Sequence, residues 1–258
     1  MKQSRNTSMF FKALASGVLI SGIASQMVSA AVIFDLRATG KNALPLSGGD
    51  TAKAISALAG DQIELTLFVK VTGVAAGAEG YQSALGKTIA THTGGGGGNQ
   101  SAPVLLGNFT GGSVGTVQDL NADGFADIGS PLATTSSTAG NMFPRFTTNG
   151  AFDLTGTAIT DGKEFALFKL TYTVVNPVGA ASVQFTQQLT TVINSSTAQV
   201  DGASVLSKNL GLPAGANASS LAAPVVITAV PEPSAFGMVL IGALGLVGFR
   251  RLGFRRTA

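Results

Sequence analysis

Polar and apolar positions alternate most regularly in two stretches. Over Asp61–Thr72, Ile63, Leu65, Leu67, Val69 and Val71 take every second place against Glu64, Thr66, Phe68, Lys70 and Thr72, the period of a strand with one buried face. Over Glu164–Asn176, Ala166, Phe168, Leu170, Tyr172 and Val174 form a wholly apolar set opposite Phe165, Leu167, Lys169, Thr171, Thr173 and Val175, so the first set is expected to face the core. Weaker alternation marks Ala31–Arg37, with Val32, Phe34 and Leu36 on one face, and Ala181–Leu189, with Val183, Phe185 and Gln187. Further short strands are predicted in Tyr81–Ala90, Pro103–Phe109, Met142–Leu154, Val200–Leu206 and Val225–Thr228. Ala52–Leu58 is a possible short helix within a Gly- and Ser-rich loop, Gly111–Gly140 reads as loop, and the run Gly94–Gly98 predicts a flexible surface loop, because five glycines are costly to order. Many short strands with Gly, Pro, Asn and Asp at the turns, and no internal repeat, predict an all-β antiparallel β-sandwich over residues 31–229.

The pattern changes at both ends. Lys2, Arg5 and Lys12 precede an apolar stretch, Ala13–Ile23, and Val28-Ser29-Ala30 supplies small residues; this is the layout of a secretory signal, residues 1–30, with signal peptidase cutting after Ala30 following export through the Sec translocon. At the other end Val230-Pro231-Glu232-Pro233 precedes an uncharged apolar run, Ala235–Phe249, and then Arg250, Arg251, Arg255 and Arg256. As a helix the run would span roughly 23 Å, somewhat short of the ~30 Å hydrocarbon core, and its arginines would stay on the cytoplasmic side of the inner membrane. Residues 230–258 are thus expected to form a C-terminal transmembrane helix behind an extended Pro-Glu-Pro joint.

These three blocks, in this order, resemble the C-terminal sorting signal of PEP-CTERM proteins of Gram-negative bacteria. The resemblance implies recognition by an exosortase, a membrane-embedded cysteine protease or transpeptidase, with processing near Pro231–Pro233. It also implies a mature product at the cell surface or in an extracellular, exopolysaccharide-rich biofilm matrix.

Charge follows the same division. Of 16 basic residues, three lie in the first thirty positions and four after Val230, while 12 of the 13 acidic residues lie between. The body therefore carries about −3 although the whole chain is +3. The basic balance belongs to the targeting segments and gives no support for nucleic-acid binding. With no cysteine, disulfides, thiolate metal sites and Cys nucleophiles are excluded.

One internal motif carries candidate chemistry. Asp119-Leu120-Asn121-Ala122-Asp123-Gly124-Phe125-Ala126-Asp127 sets oxygens at loop positions 1, 3, 5 and 9, a carbonyl at position 7 (Phe125) and Gly at position 6, the hard-oxygen set of a Ca²⁺ loop. Position 12 is Ser130 rather than Glu, so this is not an EF-hand; the order looks more like the loops of integrin-type repeats, present here in one copy. The other reading is an acidic turn without metal. Gly111-Gly112-Ser113-Val114-Gly115 matches a nucleophile elbow in letters, but the sole His, His92, comes earlier and abuts the glycine run, where a mobile loop cannot hold a general base. Gly80–Thr88 approaches a P-loop with one residue too many between its glycines. The carboxylates Asp35, Glu64, Glu79, Asp153, Asp161 and Glu164 show no pairing in sequence, and a non-catalytic protein is expected, with a secreted hydrolase such as a glycosidase as the third alternative.

Gly60-Asp61 leading into Ile63–Val71, then Gly73-Val74 and Gly80–Leu85, and later Asp161-Gly162 leading into Phe165–Val175 and Val183–Phe185, are similar to a cohesin-type module, a sandwich of jelly-roll type. That resemblance implies, as an alternative to a structural matrix protein, a binding module for a protein partner or carbohydrate; absence of Trp and only two Tyr favour the matrix reading.

Overall fold

The computed structural model describes residues 31–73, 78–109, 111–129, 142–146, 151–187, 196–200, 203–207 and 218–230. The predicted signal and its Ala30, Ser130, and the tail with Pro231, Glu232, Pro233, its apolar run and its arginines lie outside them. Among the described residues there are strands and no α-helix.

In chain order the strands are β1 (Ala31–Lys41), β2 (Ala54–Ala57), β3 (Gln62–Thr72), β4 (Gly80–Ala84), β5 (Gly86–Thr93), β6 (Gly97–Gln100), β7 (Val104–Leu105), β8 (Gly111–Val114) and β9 (Val117–Gln118). They continue with β10 (Asp127–Ile128), β11 (Met142–Arg145), β12 (Thr157–Ile159), β13 (Gly162–Asn176), β14 (Ala180–Gln187), β15 (Ser196–Val200), β16 (Ala203–Ser207), β17 (Ala218–Leu221) and β18 (Val225–Ala229). One sheet runs β12-β13-β3-β1-β17, and the outer edge of β13 is shared in succession by β12, β7 and β6. The other runs β16-β15-β4-β11-β5-β14-β18-β2, with β8 on β11 and β10 on β5 and β9.

The strongest sequence alternation is also the centre of the first sheet. Ile63, Leu65, Leu67, Val69 and Val71 of β3 are all buried, as are Val32, Phe34 and Leu36 of β1. Between the sheets Phe34 meets Phe185 at 5.3 Å and Tyr81 at 6.2 Å, Tyr81 meets Phe165 at 6.1 Å, and Phe168 meets Phe185 at 6.2 Å. Each buried ring contributes about 1.5–3 kcal/mol of apolar transfer, which in a chain without disulfides is the principal stabilising term.

The structure departs from the sequence expectation at five places. First, β13 does not keep one phase. Its register on β3 skips between Ala166 and Phe168, so Phe165 and Leu167 are buried before the skip and Phe168, Leu170, Tyr172 and Val174 after it, while Ala166 is only half-buried. A bulge admits one extra residue and lets both apolar sets reach the core. Second, Ala52–Leu58 is no helix: β2 runs parallel to β18, with Val226 opposite Ala54 and Ala229 opposite Ala57. Third, the sandwich is not wholly antiparallel. β17 lies parallel to β1, and the chain crosses sheets after Leu221 to run on as β18. Lys53 holds this crossing, donating to the carbonyls of Leu36 at 2.5 Å and Ala223 at 2.6 Å and pairing with Asp35 at 2.7 Å. Fourth, part of Gly111–Gly140 is ordered as β8, β9 and β10. Fifth, the glycine run is not a free loop. Gly96, Gly97 and Gly98 are buried, and Gly97 opens β6 against β13.

Three connections cross between the sheets at one end of the sandwich: β2 to β3, β5 to β6, and β13 to β14. The exit of β18 lies there too, since Ala229 N–H donates to Gly179 and Val230 N–H to Ala57. Ala31 lies at the other end, opposite Thr72, which in turn faces Gly162.

Candidate functional site

The strand period of β5 decides what happens at the acidic loop. Thr88 and Ala90 face inward, and continuing that parity brings His92 to the same face. There the ring meets Tyr172 of β13 and the acidic loop between β9 and β10. His92 Nδ1 lies 2.5 Å from Asp123 Oδ2, and its Nε2 lies 3.0 Å from the Tyr172 hydroxyl and 3.3 Å from the Gly98 N–H. A carboxylate only accepts, so Nδ1 carries the proton and Nε2 accepts from Gly98. Phe125 packs on the imidazole at 4.8 Å. A Cβ at Gly97 would run into the Phe125 ring, and one at Gly98 into Tyr172 and the Thr173 carbonyl. The glycines are therefore needed for close packing over the histidine, and His92 is rigidly held, contrary to the sequence expectation.

The structure does bring Asp119, Asn121, Asp123, Phe125 and Asp127 together, but around protein donors. Asp119 accepts from the N–H groups of Asp123 at 3.2 Å and Gly124 at 2.8 Å; those bonds, Gly124 foremost, hold its carboxyl below the ordinary range. Asp123 accepts from Phe125 N–H at 3.0 Å and from the Asn121 amide at 3.0 Å besides His92. Asp127 accepts from Ala90 N–H at 2.8 Å, Gln100 at 3.0 Å and Leu120 N–H at 3.3 Å. Asn121 also donates to the Ala90 carbonyl at 2.8 Å. Asp127 and Asn121 together satisfy both peptide groups of Ala90, doing for that edge of β5 what a neighbouring strand would do. Burial, and then the charges of Asp123 and Asp119, push the Asp127 carboxyl up.

The donor set has the chemistry calcium prefers, yet all six carboxylate oxygens accept protein hydrogen bonds. Among the described residues no three His, Asp or Glu side chains converge on a common ion position. A cation at Asp123 would therefore compete with His92 and the loop's own donors for its oxygens.

The Asp123–His92–Tyr172 chain has the order of a general-base relay but not the access. The His92 side chain is 5% exposed, and burial, followed by the charges of Asp123 and Asp127, pushes the Tyr172 hydroxyl up and away from nucleophilicity. As built it fastens the loop to the sandwich. Ser113 lies in β8, where its hydroxyl accepts from Gly115 N–H at 3.2 Å, with no helix following among the described residues. Gly80–Thr88 is divided between β4 and β5.

No protein-family model and no curated protein matches the sequence. Among solved structures, a chain of a CaDoc0917–CaCohA2 complex aligns with 77% of this chain and 99% of its own length, at TM-score 0.33 and 10% identity. The solution structure of CaCohA2 from Clostridium acetobutylicum aligns with 77% of this chain and 91% of its own, at TM-score 0.32 and 9% identity. At that distance the likeness carries no argument about fold details or function.

Proposed function

We propose that the protein is an exported, non-catalytic module of the cell surface or extracellular matrix of a Gram-negative bacterium. Its signal is removed after Ala30, its tail holds it in the inner membrane, and an exosortase then processes it near Pro231–Pro233. The observation that carries this reading is the fit between the sandwich and the interval left by the two targeting segments. From Ala31, the first described residue, the chain is already in β1, and the Ala31 N–H donates to the Thr72 hydroxyl at 3.0 Å, while β18 ends at Ala229, directly before the Pro-Glu-Pro joint. The described strands of both sheets thus lie within the interval that the two proposed cuts would leave. Fractionation tests the route: replacing Pro231, Glu232 and Pro233 by Ala should leave a longer, membrane-held form, whereas identical mass and location in both strains would refute processing.

A second reading, a module that binds a protein partner, is favoured by one surface feature. Lys41 and Leu44 exchange backbone hydrogen bonds around Asn42 and Ala43, whose φ angles are 53° and 61°. Such left-handed geometry is strained for Ala. The turn holds Leu44 out in solvent beside a hollow of about 510 Å³ lined by Pro45, Gln62, Glu64, Lys169 and Thr171. Partner capture from cell-surface extracts that Leu44→Asp abolishes would support this reading; capture unchanged by Leu44→Asp would remove it.

Calcium is a separate proposal for the acidic loop, supported by its residue order and by three carboxylates close enough to perturb one another. Titration calorimetry on the secreted body decides: binding heat lost in Asp123→Ala supports it, and no heat removes it.

A further inference from the structure

Four large apolar side chains stand exposed at the end of the sandwich where the chain leaves for its tail. Leu58, Val175, Val178 and Val230 are 43%, 51%, 49% and 43% exposed. Backbone hydrogen bonds gather them. Val230 N–H donates to Ala57, beside Leu58; Ala229 N–H donates to Gly179, beside Val178; and Gly60 N–H donates to Val174, beside Val175. They occupy the rim formed by the β2–β3 and β13–β14 crossings and the exit of β18. Near the opposite rim, with Ala31, Thr72 and Gly162, Leu154 stands exposed beside Gly80 and Lys163, without a comparable gathering of neighbours among the described residues. Apolar groups gathered on one rim, with polar surface beyond, mark a surface made to be covered.

The sequence states what lies in reach. Only Pro231, Glu232, Pro233 and Ser234 separate Val230 from the apolar run beginning at Ala235. Five Cα steps span at most about 18 Å even fully extended, so a tail held in the membrane keeps this rim within that distance of the lipid surface. Charge narrows the kind of lipid. Lys41 pairs with Asp61 on this rim at 3.3 Å, while Asp119 and Asp123 of the neighbouring loop would repel an anionic surface.

We infer that this rim is a membrane seat: while the tail anchors the protein, Leu58, Val175, Val178 and Val230 rest in the headgroup region of a zwitterionic lipid surface, with the sandwich standing upright and Ala31 pointing away. The inference rests on the anchored-tail reading and adds an orientation to it. Seating shields the four side chains from water before processing and exposes them afterwards.

Because the chain has no cysteine, single thiols can report on the seat. The full chain carrying a fluorophore on Val178→Cys, or on Thr157→Cys at the far end, is reconstituted into phosphatidylcholine vesicles containing a headgroup spin-labelled lipid. The label at 178 should lose more than half its emission and the label at 157 almost none. Adding phosphatidylglycerol should weaken the quenching at 178. Replacing Leu58, Val175 and Val230 by Ser should restore emission at 178 while the chain still floats with the vesicles. Flotation with equally bright labels overturns the seat alone. Failure to float overturns the anchor and the seat with it. Emission at 178 that falls only when a membrane protease is co-reconstituted overturns the lipid seat in favour of a protein contact.

Discussion

His92 holds more of the structure than a single exposed-looking histidine beside five glycines suggests. His92→Ala leaves Asp123, Tyr172 and the Gly98 N–H without their partner, and should cost about 2–4 kcal/mol at neutral pH, read as a lowered urea midpoint. The glycines above it should separate sharply. Gly98→Ala forces a Cβ into the Thr173 carbonyl and the Tyr172 ring, whereas Gly95→Ala meets open space and is strained only through its φ of 75°. Gly98→Ala should therefore be markedly the more damaging, with Gly95→Ala costing about 1 kcal/mol. Acid sensitivity follows from the carboxylates. Burial tends to raise Asp35, but hydrogen bonds from Lys53 and Arg37 and their charges hold it below its ordinary value; Lys169 does the same for Glu64, and Asn42, Leu58 N–H and Lys41 outweigh burial at Asp61. Depressed carboxyls stabilise the fold above their unfolded values, and that stability is lost as pH falls through the folded ones. Asp127, raised chiefly by burial, acts oppositely: the fold gains as pH falls from the folded toward the unfolded value. Urea midpoints should hold or rise slightly on mild acidification and then drop once the depressed group titrates. Asp127→Asn should remove the rise, and a monotonic fall from neutral pH in the native chain would contradict this assignment.

At the level of single elements, the β13 bulge and the β2 edge carry distinct expectations. Deleting Leu167 removes the residue skipped in the register with β3, so Phe165, Phe168, Leu170, Tyr172 and Val174 fall into one unbroken alternation with their β3 partners unchanged; the variant should still unfold cooperatively by calorimetry, weakened by about 2–5 kcal/mol for the lost buried leucine. β2 is an edge strand whose outward groups are closed by its own neighbourhood. Ala54 exchanges bonds with Thr51, Ser56 N–H donates to Asp50 at 2.8 Å, and Lys41 donates to the Ser56 carbonyl at 2.5 Å. Asp50→Ala with Lys41→Ala should leave monomer stability within about 1 kcal/mol but raise aggregation, visible by light scattering, because an uncapped edge templates pairing. The sequence was legible where one strand has one phase. β3, β1 and β14 follow their alternation; β13 does not, because two apolar sets in one strand are compatible with either a single buried face or a bulge. The glycine run misled because composition reports backbone freedom in isolation and not the aromatic rings, Phe125 and Tyr172, packed where its Cβ atoms would be. His92 had a usable signal in its parity with Thr88 and Ala90. The acidic loop stands out in the sequence, but its hydrogen bonding to the edge of β5 depends on long-range pairing that the motif alone does not encode.

For the whole molecule, the two ends of the body lie at opposite rims. β1 is 11 residues long, roughly 36 Å when extended, so Ala31 stands about that far from the rim where β18 ends; on the proposed processing, that is the separation of the mature N-terminus from the anchored end. Exported protein should therefore carry an N-terminus at Ala31 accessible to amine-reactive reagents even while the tail is still in place; mass spectrometry of labelled membranes showing Ala31 blocked or absent would contradict this. The same layout fixes how the module meets tension. A pull between Ala31 and Val230 draws β1 lengthwise past β3 and β17 and draws β18 past β14 and β2, straining their cross-strand bonds simultaneously in shear. A pull across the β15–β16 hairpin would instead open its pairs one after another, at lower force. Were the module a matrix link, as proposed, tension between its two ends would run along these strands, the direction in which it resists most.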